Sequence, residues 1–121
     1  MTETPTLRFS TKILAFAVPQ LKLGKVTQTI RSRTGVAPFF RLRGMVPLVL
    51  DNEVLYPVRI TEVKSKPLGD LDEMDALLGG FKTLGQLQGA LKRAGFRYMD
   101  LREYRNTFAV SFQPLREKVV Q

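Results

Sequence analysis

The spacing of hydrophobic and polar residues changes several times along this chain, and each change marks an element. Residues 1–7 hold no sustained pattern and read as a loose leader. Lys12–Val18 is a nearly unbroken apolar run (Ile13, Leu14, Ala15, Phe16, Ala17) of the length of a buried strand. Pro19, tolerated at a first helical position, predicts a short helical turn over Pro19–Leu23 that Gly24 ends. Gly24–Arg33 then alternates. As a strand it sets Lys25, Thr27, Thr29, Arg31 and Arg33 on one face and Val26, Gln28, Ile30 and Ser32 on the other. Thr34–Pro38 reads as a loop. Met45–Leu50 and Val54–Lys64 are β-rich and join across Asp51, Asn52 and Glu53, the pattern of a hairpin. Arg59, Thr61 and Val63 alternate with Val58, Ile60 and Glu62, which predicts a half-exposed second strand.

Beyond the hairpin the period lengthens to three and four residues. Asp70 and Glu73 have the spacing of a capping pair, and Leu71, Met74 and Leu78 fall on one helix face before Gly79 and Gly80. Thr83 suits the cap of a second helix with the stripe Leu84, Leu87, Leu91 and Ala94. Lys92 and Arg93 stand in its last turn, where cations favour the helix dipole, and Gly95 fits the position after it. Both stripes read as core packing. Asn106–Pro114 closes the pattern as a strand with Phe108, Val110 and Phe112 on one face. The order of elements is α+β, in a single domain over residues 1–121 without internal repeats.

Charge gives the alternating strand its interest. The 121 residues include 19 Lys and Arg against 11 Asp and Glu, a formal net charge of +8. No acidic residue occurs between Thr4 and Leu50, a span that holds Arg8, Lys12, Lys22, Lys25, Arg31, Arg33, Arg41 and Arg43. A field this lopsided attracts polyanions. The face of Lys25, Thr27, Thr29, Arg31 and Arg33 is a row of hydroxyls and cations without a carboxylate, which suits a phosphate-bearing ligand. The same alternation also fits a solvated strand face, since Thr and Arg are ordinary there.

Missing residue types prune the chemistry. The chain has no Cys and no His, which excludes disulfides, Cys–His and Ser–His–Asp nucleophile systems and the usual ligand sets of zinc. The acidic cluster Asp70–Asp75 reads as a helix start, so no metal and no cofactor is expected. A glycine-rich phosphate loop is absent. Acid–base work, if any, falls to Lys, Glu, Asp or Tyr. There is no apolar run near the ~20 residues that span a bilayer and no layout of a secretion signal. No membrane association is expected, and the cytoplasm is the default location.

These elements resemble, in their order, an ASCH domain of the PUA-like β-barrel superfamily. The resemblance runs from about Leu14 to Phe112 and is carried by Gly24-Lys25-Val26-Thr27-Gln28-Thr29-Ile30-Arg31 and by Gly80-Phe81-Lys82-Thr83-Leu84-Gly85-Gln86-Leu87. It implies a small mixed barrel with two or three flanking helices and a cleft that binds RNA or a modified nucleoside. Some members of the family hydrolyse acetylcytidine, and others are linked to ribonuclease activity. The amidohydrolase motif is Gly-x-Lys-x-x-Thr-x-Arg, with a glutamate just before the Gly-Phe-like pair. Gly24, Thr29 and Arg31 match it, whereas the lysine position falls on Val26 and the glutamate position on Gly79. Lys25 is adjacent to the first, but a one-residue slip turns a strand side chain to the other face. Glu73 and Asp75 are the nearest acids to Gly79, and Glu62 on the hairpin is a further candidate.

The expectation is an RNA- or nucleotide-binding module, with Lys25, Thr27, Thr29, Arg31, Arg33, Arg41 and Arg43 as the binding set. Phe39 and Phe40, interleaved with those last arginines, suit base stacking or the core. Two alternatives stay open. One is a nucleoside amidohydrolase or ribonuclease with a displaced lysine, for which Lys25, Thr29 and Glu62 are the catalytic candidates. The other is an interaction module that docks on an acidic partner protein.

Overall fold

A computed structural model describes residues 5–32, 39, 45–96 and 107–115. β1 (Leu7–Phe9), β2 (Gln28–Ser32), β3 (Met45–Leu50), β4 (Glu53–Ser65) and β5 (Thr107–Pro114) form one sheet in the order β1-β3-β4-β5-β2. β1 lies parallel to β3 and the other pairings are antiparallel. β3 and β4 form the expected hairpin, turning at Asp51, whose φ of +56° is one that Asp tolerates in tight turns. The sheet curls into a half-barrel that brings its edge strands together, and Arg31 Nη2 on β2 donates to the carbonyl of Arg8 on β1 at 2.6 Å. Leu7, Leu48, Val58, Ile60, Val110 and Phe112 form the centre of the core.

Among the described residues, three helical parts and a short 3-10 turn (Leu68–Asp70) accompany this sheet. The first part is three short pieces in succession, α1 (Thr11–Leu14), a 3-10 turn (Ala15–Ala17) and α2 (Val18–Lys22), with a break at Ala15, whose φ is +48°. The apolar run expected to be a strand is therefore helical. Leu14, Ala17 and Leu21 bury at helical spacing, while Phe16 points outward with 74 % of its surface exposed. Asp51 decides the matter, because its carboxylate accepts from the Thr11 backbone N–H at 3.0 Å and from the Thr11 hydroxyl at 2.6 Å, satisfying donors at the helix start. Those two bonds hold the Asp51 carboxyl below the usual carboxylate range. Of the residues read as a leader, 1–4 lie outside the described set, and Leu7 is buried as the first residue of β1.

The other two helices are α3 (Glu73–Leu78) and α4 (Leu84–Arg93). The cap of α3 is Asp72, not Asp70. Its side chain accepts from the Asp75 N–H while Asp75 returns the contact to the Asp72 N–H. The buried residues of α3 are accordingly Asp75 and Ala76, and Met74 is exposed. α4 has the expected cap, Thr83 Oγ1 accepting from the Gln86 N–H at 3.1 Å, and buries Leu87, Ala90 and Leu91, with Ala94 exposed. On β4 a bulge between Ile60 and Glu62 breaks the alternation, so Thr61 and Glu62 both face outward.

Candidate functional site

Among the described strands β2 stands at an edge of the sheet, paired with β5 on one side. A cavity of about 750 Å³ runs along its other side. Phe112 N–H donates to the Thr27 carbonyl, so ladder alternation turns the backbone groups of Thr29 and Arg31 toward β5 and those of Gln28 and Ile30 toward the open edge. A cavity that meets a strand at its edge is flanked by side chains from both faces. Thr29 and Arg31 border it from one face and Gln28 from the other. Phe9 of β1, Asp75 of α3 and Leu87 and Leu91 of α4 complete the walls used below.

Arg31 is held at three points. Its Nε donates to Thr29 Oγ1 at 3.1 Å, its Nη2 to the Arg8 carbonyl, and its guanidinium carbon lies 4.8 Å from the centre of the Phe9 ring. Phe9 in turn packs at a tilt on Phe112, with ring centres 6.3 Å apart. No carboxylate among the described residues pairs with Arg31. Burial alone pulls its guanidinium down to about 10. Arg31 is thus a cation stripped of much of its water and compensated only by neutral groups, an arrangement that favours an anion in the cavity.

A second polar cluster forms where β2 meets α3. Asp75 is 3 % exposed. Its Oδ1 accepts from Gln28 Nε2 at 2.9 Å and from Lys66 Nζ at 3.1 Å. Its Oδ2 lies 2.8 Å from Lys66 Nζ and accepts from the Asp72 N–H at 2.9 Å. Burial by itself raises the Asp75 carboxyl, but the bonds from Lys66, Gln28 and Asp72 and the Lys66 charge outweigh it and hold the group below the usual carboxylate range. Asp75 is ionised at neutral pH and, with all these donors, fully satisfied.

The residues nominated from sequence are distributed unevenly around this cavity. Thr29 and Arg31 come together on it. Lys25 and Thr27 precede β2: Lys25 is exposed, Thr27 half-buried with its N–H bound to the Leu78 carbonyl, and neither borders the cavity. Arg33, Arg41, Arg43 and Phe40 lie outside the described residues. Phe39 is buried in the core. Glu62 is exposed on β4 and does not border the cavity. Val26, at the lysine position of the family motif, is 2 % exposed and packs beside Gly80. Gly79, at the glutamate position, does border the cavity. Among the described residues no cluster of acidic side chains is arranged to hold a metal ion, and no helix is long and apolar enough to cross a membrane.

Sequence reading missed Gln28, Asp75 and Phe9. A signal for the first existed. Gln28 sits between Val26 and Ile30 on the packing face of the strand, and a polar group there requires a buried partner. Asp75 is that partner.

No protein-family model matches the chain, and no curated protein matches it in sequence. Solved structures do match. An ASCH domain from Lactobacillus crispatus JV V101 superposes with a TM-score of 0.60 at 14 % identity, covering 81 % of this chain and 69 % of that one. A protein of Enterococcus faecalis V583, assigned to the DUF984 family, superposes with a TM-score of 0.60 at 15 % identity, covering 100 % of this chain and 86 % of that one. At such identities the likeness is one of fold alone: the chain has an ASCH-like α+β fold.

Proposed function

We propose that the chain is an RNA- or nucleotide-binding module that receives a phosphate or another anionic group at Arg31. The observation that carries this reading is the state of that side chain. It is held by Thr29, the Arg8 carbonyl and the Phe9 ring beside a cavity, without a carboxylate partner among the described residues. A cation on a solvated strand face keeps its water, whereas Arg31 is half-buried and desolvation pulls its guanidinium down to about 10. The surplus of basic residues in the first half of the chain supports the same reading by drawing polyanions toward the site.

The reading does not include amide hydrolysis. That chemistry needs a group to activate water and another to stabilise the oxyanion. Val26 and Gly79 supply neither, and Lys25 and Glu62 stand away from the cavity. Purified protein is expected to bind without deacetylating acetylcytidine. Robust turnover that disappears in Lys25→Ala would restore the hydrolase alternative.

Binding is tested by fluorescence anisotropy of a labelled oligoribonucleotide across a salt series. Affinity should fall with salt, and Arg31→Ala should lose about 1.5–3 kcal/mol and flatten the salt slope by about one charge. Adding Arg33→Ala should deepen the loss. Unchanged titration by the folded variants would overturn the proposal.

A further inference from the structure

Gln28 narrows what can occupy this cavity. The side chain is 7 % exposed, and its Nε2 donates to Asp75 Oδ1 at 2.9 Å. An ionised carboxylate only accepts, so the contact fixes the amide with nitrogen toward Asp75 and oxygen away from it. Oε1 has no hydrogen bond among the described residues. No buried side-chain polar atom among them lacks a partner, and Gln28 borders the cavity. The amide oxygen is therefore the part of this side chain that opens on the cavity. Asp75, already occupied by Lys66, Gln28 and the Asp72 N–H, keeps the amide from flipping.

We propose that Gln28 Oε1 accepts a hydrogen bond from the exocyclic amine of a nucleobase, an inference that rests on the nucleotide-binding reading above. A fixed, recessed acceptor selects an N–H donor. A ring carbonyl at the same place would set lone pair against lone pair, with the Asp75 carboxylate directly behind. Uracil presents its ring N–H between two carbonyls, which crowd a recessed acceptor that has a carboxylate behind it and weaken the contact. An amine projects beyond the ring and meets the oxygen alone. The backbones of Gln28 and Arg31 are about 10 Å apart along the strand and their side chains leave on opposite faces, so a nucleotide that reaches both lies across the edge of β2, where the cavity meets both faces.

The test uses the intact protein and two matched pairs of ligands, titrated by calorimetry. AMP is compared with purine riboside 5′-monophosphate, which lacks only the amine, and CMP with UMP. The expected result is an advantage of about tenfold for each amine-bearing member, which closes in Gln28→Met. Equal affinity within both pairs overturns the proposal and leaves nucleotide binding intact. A gap that persists in folded Gln28→Met overturns the assignment to Gln28. Binding of none of the four nucleotides overturns the nucleotide reading itself and this inference with it. Should Gln28→Met fail to fold, the wild-type comparison still decides on the amine.

Discussion

Replacing Asp75 by asparagine keeps the shape of the side chain and removes its charge and half of its accepting capacity. In the native protein the two carboxylate oxygens receive Gln28 Nε2, the Asp72 N–H and Lys66 Nζ. Asparagine offers one oxygen, so its amide nitrogen faces either the Asp72 N–H, donor against donor, or Gln28, whose amide must then flip and turn its nitrogen away from its partner. Gln28 is buried and has no other partner for its nitrogen among the described residues, a loss of about 1–3 kcal/mol. Lys66 is partly exposed and turns to water, so its share is smaller than that of a fully buried ion pair. Together with a weakened cap on α3, the expected destabilisation is about 3–5 kcal/mol, read from urea unfolding at neutral pH. The pH dependence supplies a second readout. Against burial, which raises it, the bonds from Lys66 and Gln28 leave the Asp75 carboxyl lowered in the folded protein. The unfolded chain therefore binds its proton first. The stabilisation is complete above the unfolded value of about 4 and is lost as pH falls through the folded value. The asparagine variant has no such proton, so the gap between the two proteins should narrow in acid. A gap below about 1 kcal/mol at neutral pH, or one that stays constant in acid, would refute the reasoning.

Two further stability predictions follow from packing. Gly80 has φ of +91°, and a Cβ there would stand 2.8 Å from Val26 Cγ2; Gly80→Ala should cost about 2–4 kcal/mol, whereas Gly95→Ala, at φ of +105° in open space, should cost only the backbone part, about 1–2 kcal/mol. Equal losses in denaturant titrations would contradict the contact with Val26. Leu91→Ala should lose about 2–5 kcal/mol through lost burial and a cavity, while Lys92→Ala, on the exposed side of α4, should leave the unfolding midpoint in place. Variants that melt alike would mean that the register of α4 is misassigned.

Local signals made α4, the hairpin and β5 legible. Thr83, the leucine spacing and Gly95 define α4 within its own sequence. The misread segments depended on distant partners. Lys12–Val18 has the apolar density of a strand, and its helical form is settled by Asp51, 40 residues from Thr11. Leucine spacing on α3 suggested that Met74 faces inward, yet the buried residue is Asp75, whose charge is made tolerable by Lys66 and Gln28. Thr29 and Arg31 were found by alternation because they share a face. Gln28 was set aside by the same rule, since period two separates faces and does not say which strand forms an edge. That property belongs to the sheet.

The sheet order has a consequence for how the protein is made. β5 lies between β4 and β2, so the strand that pairs with β2 among the described residues is complete only once the chain has been synthesised to Pro114. Gln28 must then find Ser111, a closure across most of the molecule that makes for slow, high-contact-order folding. Until that step β2 lacks its partner among the described strands, while the β3–β4 hairpin can already pair. The cavity along β2 therefore comes into being only with the last pairing. A nascent chain cannot hold a ligand there, and one bound afterwards would slow the first step of unfolding if β2 is the strand that leaves first.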